Sequence, residues 1–391
     1  MRRIKNLGAV AVCAAVVGVW LTQGLGSVSI VTASSTKSTP NPSQAQLRGV
    51  SCVSASFCEA VGVYRNNGSG FYVTLAEMWN GKAWALQSPP SPAGSSATYL
   101  NSVSCISASL CEAVGNADTG AVAEVWNGSN WALQPTPNPG GLPGSDFGLS
   151  GVSCVSSDYC EAVGFTTLKG DYAELTEVWN GTAWALQTAP SNAVASLLGV
   201  SCISAKSCEA VGTVEFSGGG SIAAAWDGTS WTAQSAPTPA GAFKSTLYAV
   251  SCGSASFCEA AGNLQTSATS LGVTLSEVWD GTSWTMQPGP TGATGVLKGV
   301  SCVSSSYCEA VGYAPAPTKN TVAIAFVQVW NGSSWAVQSA PDPGSGGVNE
   351  LLSASCLSAT DCEASGYYTV SSGKDQDLKE GWDGAAWALQ Q

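Results

Sequence analysis

Histidine is absent from all 391 residues of the chain. That removes Ser-His-Asp and Cys-His nucleophile systems, imidazole general bases and imidazole metal ligands. Charge is scarce too, at 10% of residues, so long solvated helices are not expected. The 14 Lys and Arg are outnumbered by 26 Asp and Glu, a formal charge of −12. Phosphate binding needs a positive field, so a nucleic-acid surface is disfavoured. The apolar run Leu7–Leu21 stops at 15 residues, short of the roughly 20 that span a bilayer. What the chain does have is 45 Gly, 18 Pro, 15 Cys, 15 Trp and 45% apolar residues, enough for a core and too apolar for disorder throughout.

Residues 1–33 carry Arg2, Arg3 and Lys5, then the apolar run, then the small-residue exit Val31-Thr32-Ala33. That order predicts a secretory signal peptide, with an uncleaved N-terminal anchor as the alternative. Cys13 follows Val12 in the middle of the apolar run, which argues against lipidation. Residues 34–46 (SSTKSTPNPSQAQ) are expected to form a Ser/Thr/Pro linker ahead of a domain spanning 47–391.

That domain is one motif repeated seven times, with first cysteines at 52, 105, 154, 202, 252, 302 and 356. The repeat boundaries fall at 48–99, 100–148, 149–196, 197–246, 247–296, 297–350 and 351–391. Copy one reads LRGVSCVSASFCEAVG, a variable stretch, then AEMWNGKAWALQ. Four short β-branched or aromatic segments, bounded by Gly, Ser, Asn or Pro, predict four strands per copy. We label them A (L-x-x-V-S-C), B (C-E-A-V-G), C (ending E-V-W) and D (W-A-L-Q). Asn-Gly or Asp-Gly between C and D suits a tight hairpin turn with φ > 0, and the paired Trp79 and Trp84 should project from one face. Four-stranded units with no helical periodicity predict an all-β fold, a seven-bladed β-propeller of antiparallel blades. An open solenoid is the rival, but no copy looks like a cap. Closure is left open: the blades either close without sharing a strand, or residues 38–47 lend an edge strand to the last blade.

Each copy contains Cys-x5-Cys: Cys52/Cys58, Cys105/Cys111, Cys154/Cys160, Cys202/Cys208, Cys252/Cys258, Cys302/Cys308 and Cys356/Cys362. The two cysteines of a pair flank the turn joining strands A and B. Such a hairpin would bring each pair within the roughly 5.5–6 Å Cα separation a disulfide prefers. Zinc is the rival, disfavoured by the spacing and the missing histidine. The pattern GVSC-x5-CEAVG followed by EVWNG-x2-W resembles the Cys-paired propeller repeats of secreted actinobacterial proteins, across residues 48–391. It is more distantly similar to kelch and Asp-box (sialidase-type) propellers, although Asp227-Gly228-Thr229-Ser230-Trp231 is one residue shorter than the Asp-box order. The resemblance implies no specific activity.

Glu59, Glu112, Glu161, Glu209, Glu259, Glu309 and Glu363 follow the second cysteines. They read either as a cation or ligand ring or as structural carboxylates accepting backbone N–H bonds. Sevenfold repetition favours the structural role, since catalysis needs unlike residues converging on one point. A second set, Glu77, Glu124, Glu177, Glu277 and Glu380, gives way to Ala224 and Gln328. The repeated Trp read as packing between blades or as sugar-stacking platforms, and packing is favoured. Asn127, Asn180 and Asn331 match the glycosylation sequon, but Asp227, Asp280 and Asp383 stand at the same turn position, so turn geometry accounts for all of them.

Variation is concentrated in the B–C and D–A connections. The distance from the strand-B Gly to the first Trp runs from 11 residues (115 to 126) to 18 (312 to 330). In a propeller those connections share one rim, while the uniform A–B and C–D turns share the other. Loops on a rigid scaffold carry recognition, so the variable rim is the expected binding face. Its candidate ligand-binding residues are Tyr64, Arg65, Tyr72, Phe165, Tyr172, Phe216, Tyr313, Tyr367 and Tyr368, although several of these also serve to finish a strand. No catalytic residue, metal site or cofactor is expected. The function read from sequence is a secreted or cell-surface binding scaffold for an extracellular protein or glycan, expected to be monomeric, with membrane contact confined to an uncleaved N-terminal segment. The rival is a glycoside hydrolase or polysaccharide lyase.

Overall fold

Repeats too small to bury their own faces must stack, and here they stack in a ring. The computed structural model describes residues 42–139, 146–168, 171–191, 193–216, 218–239, 241–316, 323–343 and 347–391. The signal-peptide and lipidation readings therefore lie outside the described residues. Seven sheets each take four consecutive antiparallel strands in the order A-B-C-D. In the first blade these are Pro42–Ser54, Phe57–Asn66, Tyr72–Trp79 and Trp84–Gln87. Strand A of each blade lies beside strand A of the next, and that of the seventh beside that of the first. The architecture is the seven-bladed propeller expected from the repeats.

Strand A of blade one begins inside the segment assigned to a linker. Residues 42–46 pair with strand B through Pro42↔Asn66, Ser43↔Arg65 and Gln46↔Val63, because that strand runs long enough to template them. Residues 42–47 thus belong to the first blade and lend no edge strand to the last. The ring closes without strand exchange. At the junction of blades seven and one, Cys52 N–H donates to Ser355 Oγ (3.0 Å), and Gln46 Nε2 donates to Asp375 Oδ2 (2.8 Å). Lys379 Nζ lies 2.7 Å from a Glu77 carboxylate oxygen, a buried ion pair at this junction.

All seven Cys-x5-Cys pairs are disulfides, which leaves no thiolate among them for zinc. They are Cys52–Cys58, Cys105–Cys111, Cys154–Cys160, Cys202–Cys208, Cys252–Cys258, Cys302–Cys308 and Cys356–Cys362. Two details differ from the hairpin picture drawn from the sequence. The Cα atoms stand 3.9–4.0 Å apart, closer than expected, because the two cysteines are directly opposed across the ladder, as in Cys52↔Cys58. Nor are the staples surface clamps at a turn. The second cysteine of every pair (Cys58, Cys111, Cys160, Cys208, Cys258, Cys308 and Cys362) is buried, none more than 2% exposed. The first cysteine is only half-buried. The asymmetry follows from strand B lying between A and C, so that its side chains enter the core. Cys111 packs with Leu100 and Trp131, Cys160 with Leu149 and Trp184, and Cys208 with Leu197 and Trp231. Cys258, Cys308 and Cys362 sit likewise beside Trp284, Trp335 and Trp387. These seven residues are thus core components and take no part in a ligand site.

The Ser before each first cysteine links neighbours. Ser51 Oγ accepts from Cys105 N–H (3.0 Å), Ser104 from Cys154 N–H (3.0 Å) and Ser153 from Cys202 N–H (2.9 Å).

A second inter-blade ring explains the constant Glu, Gln and Trp together. Within blade two, Gln134 Nε2 donates to Glu112 Oε1 (3.1 Å), and Gln134 Oε1 accepts from Trp184 Nε1 of blade three (2.6 Å). The same relay joins Glu59, Gln87 and Trp131, and at the closure Glu363, Gln390 and Trp84. The strand-B glutamates are thus structural, but their partner is a side-chain amide and not backbone N–H. Six of the seven are buried and Glu209 is half-buried, and none of them lines the central channel. The two Trp of a pair also divide the work. Trp184, 5% exposed, packs on Val114 and Ala123 of the preceding blade. Trp179 sits at the rim and donates to Ser157 O of its own A–B turn (3.0 Å).

The C–D loop has four residues, with Trp79↔Trp84 directly paired. Asn80 takes no positive φ. Its Oδ1 accepts N–H bonds from Lys82 (3.0 Å) and Ala83 (3.1 Å), and Asp227 does the same for Thr229 (2.7 Å) and Ser230 (2.8 Å). That acceptor role explains why Asn and Asp interchange there. Glycine alone takes the left-handed conformation, as at Gly128 (φ 87°). A Cβ on Gly128 would also lie 3.1 Å from Ser109 Cβ. Gly128→Val is therefore expected to cost about 1–3 kcal/mol, read as a lowered Tm. An unchanged Tm would disprove the strained turn.

Candidate ligand-binding site

The Leu that opens each strand A is fully buried, as at Leu47, Leu100, Leu149 and Leu197. The residue after it should then face the other way, and a local irregularity reinforces this. Leu47 pairs with Gly62 and Gly49 with Val61, so Arg48 is the extra residue of a β-bulge. The bulge recurs at Asn101, Ser150, Leu198, Tyr248, Lys298 and Leu352, one in every blade. It also accounts for the constant Gly of C-E-A-V-G: a Cβ on Gly62 would meet Gln46 O at 1.9 Å.

The seven bulge residues ring one cavity at the mouth of the central channel, with a volume of about 500 Å³. Gln46, Asn116, Glu350 and Tyr367 complete its wall. Gln46 and Glu350 stand near the start of strand A, and Asn116 and Tyr367 towards the end of strand B. The mouth therefore opens on the rim of the B–C and D–A connections. Below it the channel narrows, because the next residues are small: a Cβ on Gly199 would lie 3.0 Å from Ala249 Cα of the neighbouring blade.

The mouth is not symmetric. Arg48 Nη1 donates to Asn101 Oδ1 (3.0 Å), and its guanidinium lies over the Tyr99 ring (4.8 Å). Lys298 Nζ sits 3.4 Å from the centroid of the Tyr248 ring. Burial draws the Lys298 ammonium down to about 8, while Glu350 pulls it back up. Burial raises the Glu350 carboxyl above its ordinary range, opposed by Lys298 and by a hydrogen bond from Tyr367. The Tyr367 phenol is raised by burial and by Glu350, and Tyr313 is pushed up to about 12 by the same two influences. Among the described residues, neither Arg48 nor Lys298 has a carboxylate within 4.0 Å; the ion pairs are Lys244–Glu215, Lys379–Glu77 and Lys379–Asp377. Nor do the described residues hold a cluster of three or more Cys, Asp or Glu suited to a metal ion. None of their helices is long and apolar enough to cross a membrane.

Of the sequence candidates, Tyr367 lines the mouth, and Tyr313 stands within electrostatic reach of Glu350 and Tyr248. Tyr72 stacks on Tyr99 (6.1 Å), the ring beneath Arg48. The others are spread around the rim. Tyr64 packs on the core of blade one, and Arg65 Nε donates to Gly70 O (3.3 Å). Phe165 and Tyr172 pair with each other (5.6 Å), Phe216 is exposed, and Tyr368 packs against the core of blade seven. Sequence reasoning passed over Arg48, Tyr248, Lys298, Glu350 and Asn101. The signal was there: in L-x-G-V-S-C, position x reads Arg, Asn, Ser, Leu, Tyr, Lys, Leu across the copies.

No protein-family model matches the chain, and no curated protein sequence does. Among solved structures, YCF48 from Cyanidioschyzon merolae is 13% identical over 86% of this chain and 96% of its own, with a TM-score of 0.51. A PL25 ulvan lyase bound to -[GlcA(1-4)Rha3S]- is 9% identical over 86% of this chain and 92% of its own, also at 0.51. Aleuria aurantia lectin in complex with alpha-methyl-L-fucoside is 11% identical, covering 88% and 93%, at 0.46. What this chain is shown to share with such proteins is the propeller fold.

Proposed function

We propose that the chain is a non-catalytic binding scaffold, working outside the cytoplasm, for a protein or glycan held at its variable rim. One observation carries the reading: the bulge position presents Arg48, Asn101, Ser150, Leu198, Tyr248, Lys298 and Leu352 to one cavity, while the motif around it barely changes. A scaffold kept uniform for packing and varied only where it meets the cavity is what ligand recognition requires. The N-terminal signal and the seven disulfides support an extracytoplasmic setting. The nine rim residues named from sequence extend the same face beyond the mouth.

The enzyme reading draws on the asymmetric group of Glu350, Tyr367 and Lys298. A tyrosine base needs an accessible phenolate, and Tyr367 is held above its ordinary range by burial and by Glu350. At neutral pH it is a hydrogen-bond donor, which favours binding over proton abstraction. The test is a glycan array together with immobilised extracellular matrix proteins. Tyr248→Ala should weaken binding about tenfold or more with Tm unchanged, as expected for an aromatic contact in a cavity. Lys82→Ala, on the opposite rim, should do nothing. Binding lost only with Lys82→Ala, or turnover of a polysaccharide abolished by Glu350→Gln, would overturn the reading.

A further inference from the structure

Two half-buried cations at the mouth, Arg48 and Lys298, have no carboxylate within 4.0 Å among the described residues, although Glu350 lines the same cavity and acts on Lys298 through space, in a chain whose acidic residues outnumber its basic ones by 26 to 14. Lys298 is the clearer case. Its ammonium rests against the Tyr248 ring and, among the described residues, donates to no acceptor. Burying an ammonium without a hydrogen-bonded partner is costly. Its drop to about 8 reports that burial. Arg48 stacks on Tyr99 and spends its amino groups on neutral amides, Asn101 Oδ1 at 3.0 Å and Gln46 Oε1 at 3.5 Å. A guanidinium has five N–H donors, so a guanidinium so placed keeps others for a planar anion. The two cations come from blades six and one, on either side of blade seven, and both line the mouth cavity.

The rest of the wall narrows the ligand class. Gln46, Asn101, Asn116 and Ser150 bring amides and a hydroxyl and Tyr248 and Tyr367 bring rings, beside the carboxyl of Glu350; within the wall Gln46 Nε2 donates to Asp375, Asn101 Nδ2 to Asn116 and Leu149 O, and Tyr367 to Glu350. Among the described residues, Leu198 and Leu352 are its only aliphatic side chains. A peptide terminus would call for an apolar side-chain pocket and a nest of backbone N–H groups. A sugar ring instead presents hydroxyls around its edge and C–H groups on its face, which suits amides and tyrosines. A cavity of about 500 Å³ admits one or two such rings.

We propose that the mouth of the central channel binds a carboxylate-bearing sugar, of the uronic-acid type, with Arg48 and Lys298 holding its carboxylate. This rests on the scaffold reading and gives it a ligand class.

Calorimetric titration of the full chain with D-glucuronate and a galacturonate trimer, against glucose and maltotriose, tests it. A hexapeptide with a free C-terminal carboxylate is the third arm. The acidic sugars should bind at least tenfold more tightly than the neutral ones. Lys298→Gln and Arg48→Gln should each weaken acidic-sugar binding tenfold or more, with the Lys298 variant keeping its Tm. Raising NaCl from about 50 to 500 mM should weaken it too, though incompletely for a partly buried contact. Equal affinity for acidic and neutral sugars, or a preference for the peptide, overturns the acidic-sugar assignment. If that binding is lost with Tyr248→Ala, the scaffold reading stands. No binding of any sugar or peptide overturns the assignment, and the matrix-protein arm of the earlier test then decides the scaffold reading alone.

Discussion

Raising the pH from 5 to 9 is expected to lower the melting temperature by about 10 °C or more. The cause is a set of carboxyls that the fold buries without cations. Glu59, Glu112 and Glu259 are raised to about 8 by burial, against a hydrogen bond from Gln87, Gln134 and Gln287 respectively. Glu177 and Glu380 are raised to about 8 and Glu124 to about 9 by burial alone. An acid whose folded value lies above its unfolded value, roughly 4.3, keeps its proton in the native state and releases it on unfolding. The native state then binds more protons between about pH 4 and 9, so stability falls as pH rises through that window and levels off outside it. Each group contributes about 1.4 kcal/mol per pH unit of its shift. Calorimetric scans at pH 5, 7 and 9 check the trend, and a Tm that rises or stays flat over that range would refute it.

A single substitution isolates the effect. Neither carboxylate oxygen of Glu124 has a hydrogen-bond partner among the described residues, and Gln328 occupies the equivalent place in blade six. Glu124→Gln should therefore raise the Tm at pH 8 and leave it nearly unchanged at pH 5. Glu77 is the contrasting case, since Lys379 is beside it at the ring closure and opposes the upward pull of burial.

The second large effect is Trp184→Ala, expected to cost about 3–5 kcal/mol. The ring of Trp184 fills the interface with blade two, and its Nε1–H closes the relay through Gln134 to Glu112. Removing it opens a cavity and strands the Gln134 oxygen, so the packing and hydrogen-bond losses add. Trp184→Phe keeps most of the volume and loses the donor, and about 1–3 kcal/mol is expected for the unsatisfied acceptor. Trp179→Ala should cost less than Trp184→Ala, since it sits at the rim and bonds only within its own blade. Urea unfolding midpoints of the three variants give the order. If Trp179→Ala proves the more damaging, the assignment of the second Trp to the blade interface fails.

Much of the propeller was legible because its determinants are local. Cys-x5-Cys spans one hairpin, and the Asn/Asp-Gly turn spans another. The unequal spacing between the strand-B Gly and the first Trp told which connections vary. Four things were not legible. The second cysteine of each pair looked like the far side of a turn, yet Cys111 or Cys160 is a core residue beneath a Trp of its own blade. The constant Glu after it looked like a backbone acceptor, yet it holds an amide that reaches into the next blade. In blades three to seven the second Trp is the more buried of its pair, while in blade two both Trp126 and Trp131 are buried against blade one. The varying residue of L-x-G-V-S-C lay in plain view as Arg48, Tyr248 and Lys298, but an alternating strand gave it no special direction.

Local spacing and turn chemistry were sufficient for the number of blades, their strand order and their sulfur staples, because each depends on residues a few positions apart. The closure, the Glu–Gln–Trp relay and the asymmetric mouth depend on residues in different blades, far apart along the chain. Which of them meet is decided by how each blade is set against the next, and by a bulge that turns one side chain per strand towards the axis. Chemistry distributed one residue per repeat acquires a meaning when the ring brings Arg48, Glu350 and Lys298 to the same cavity.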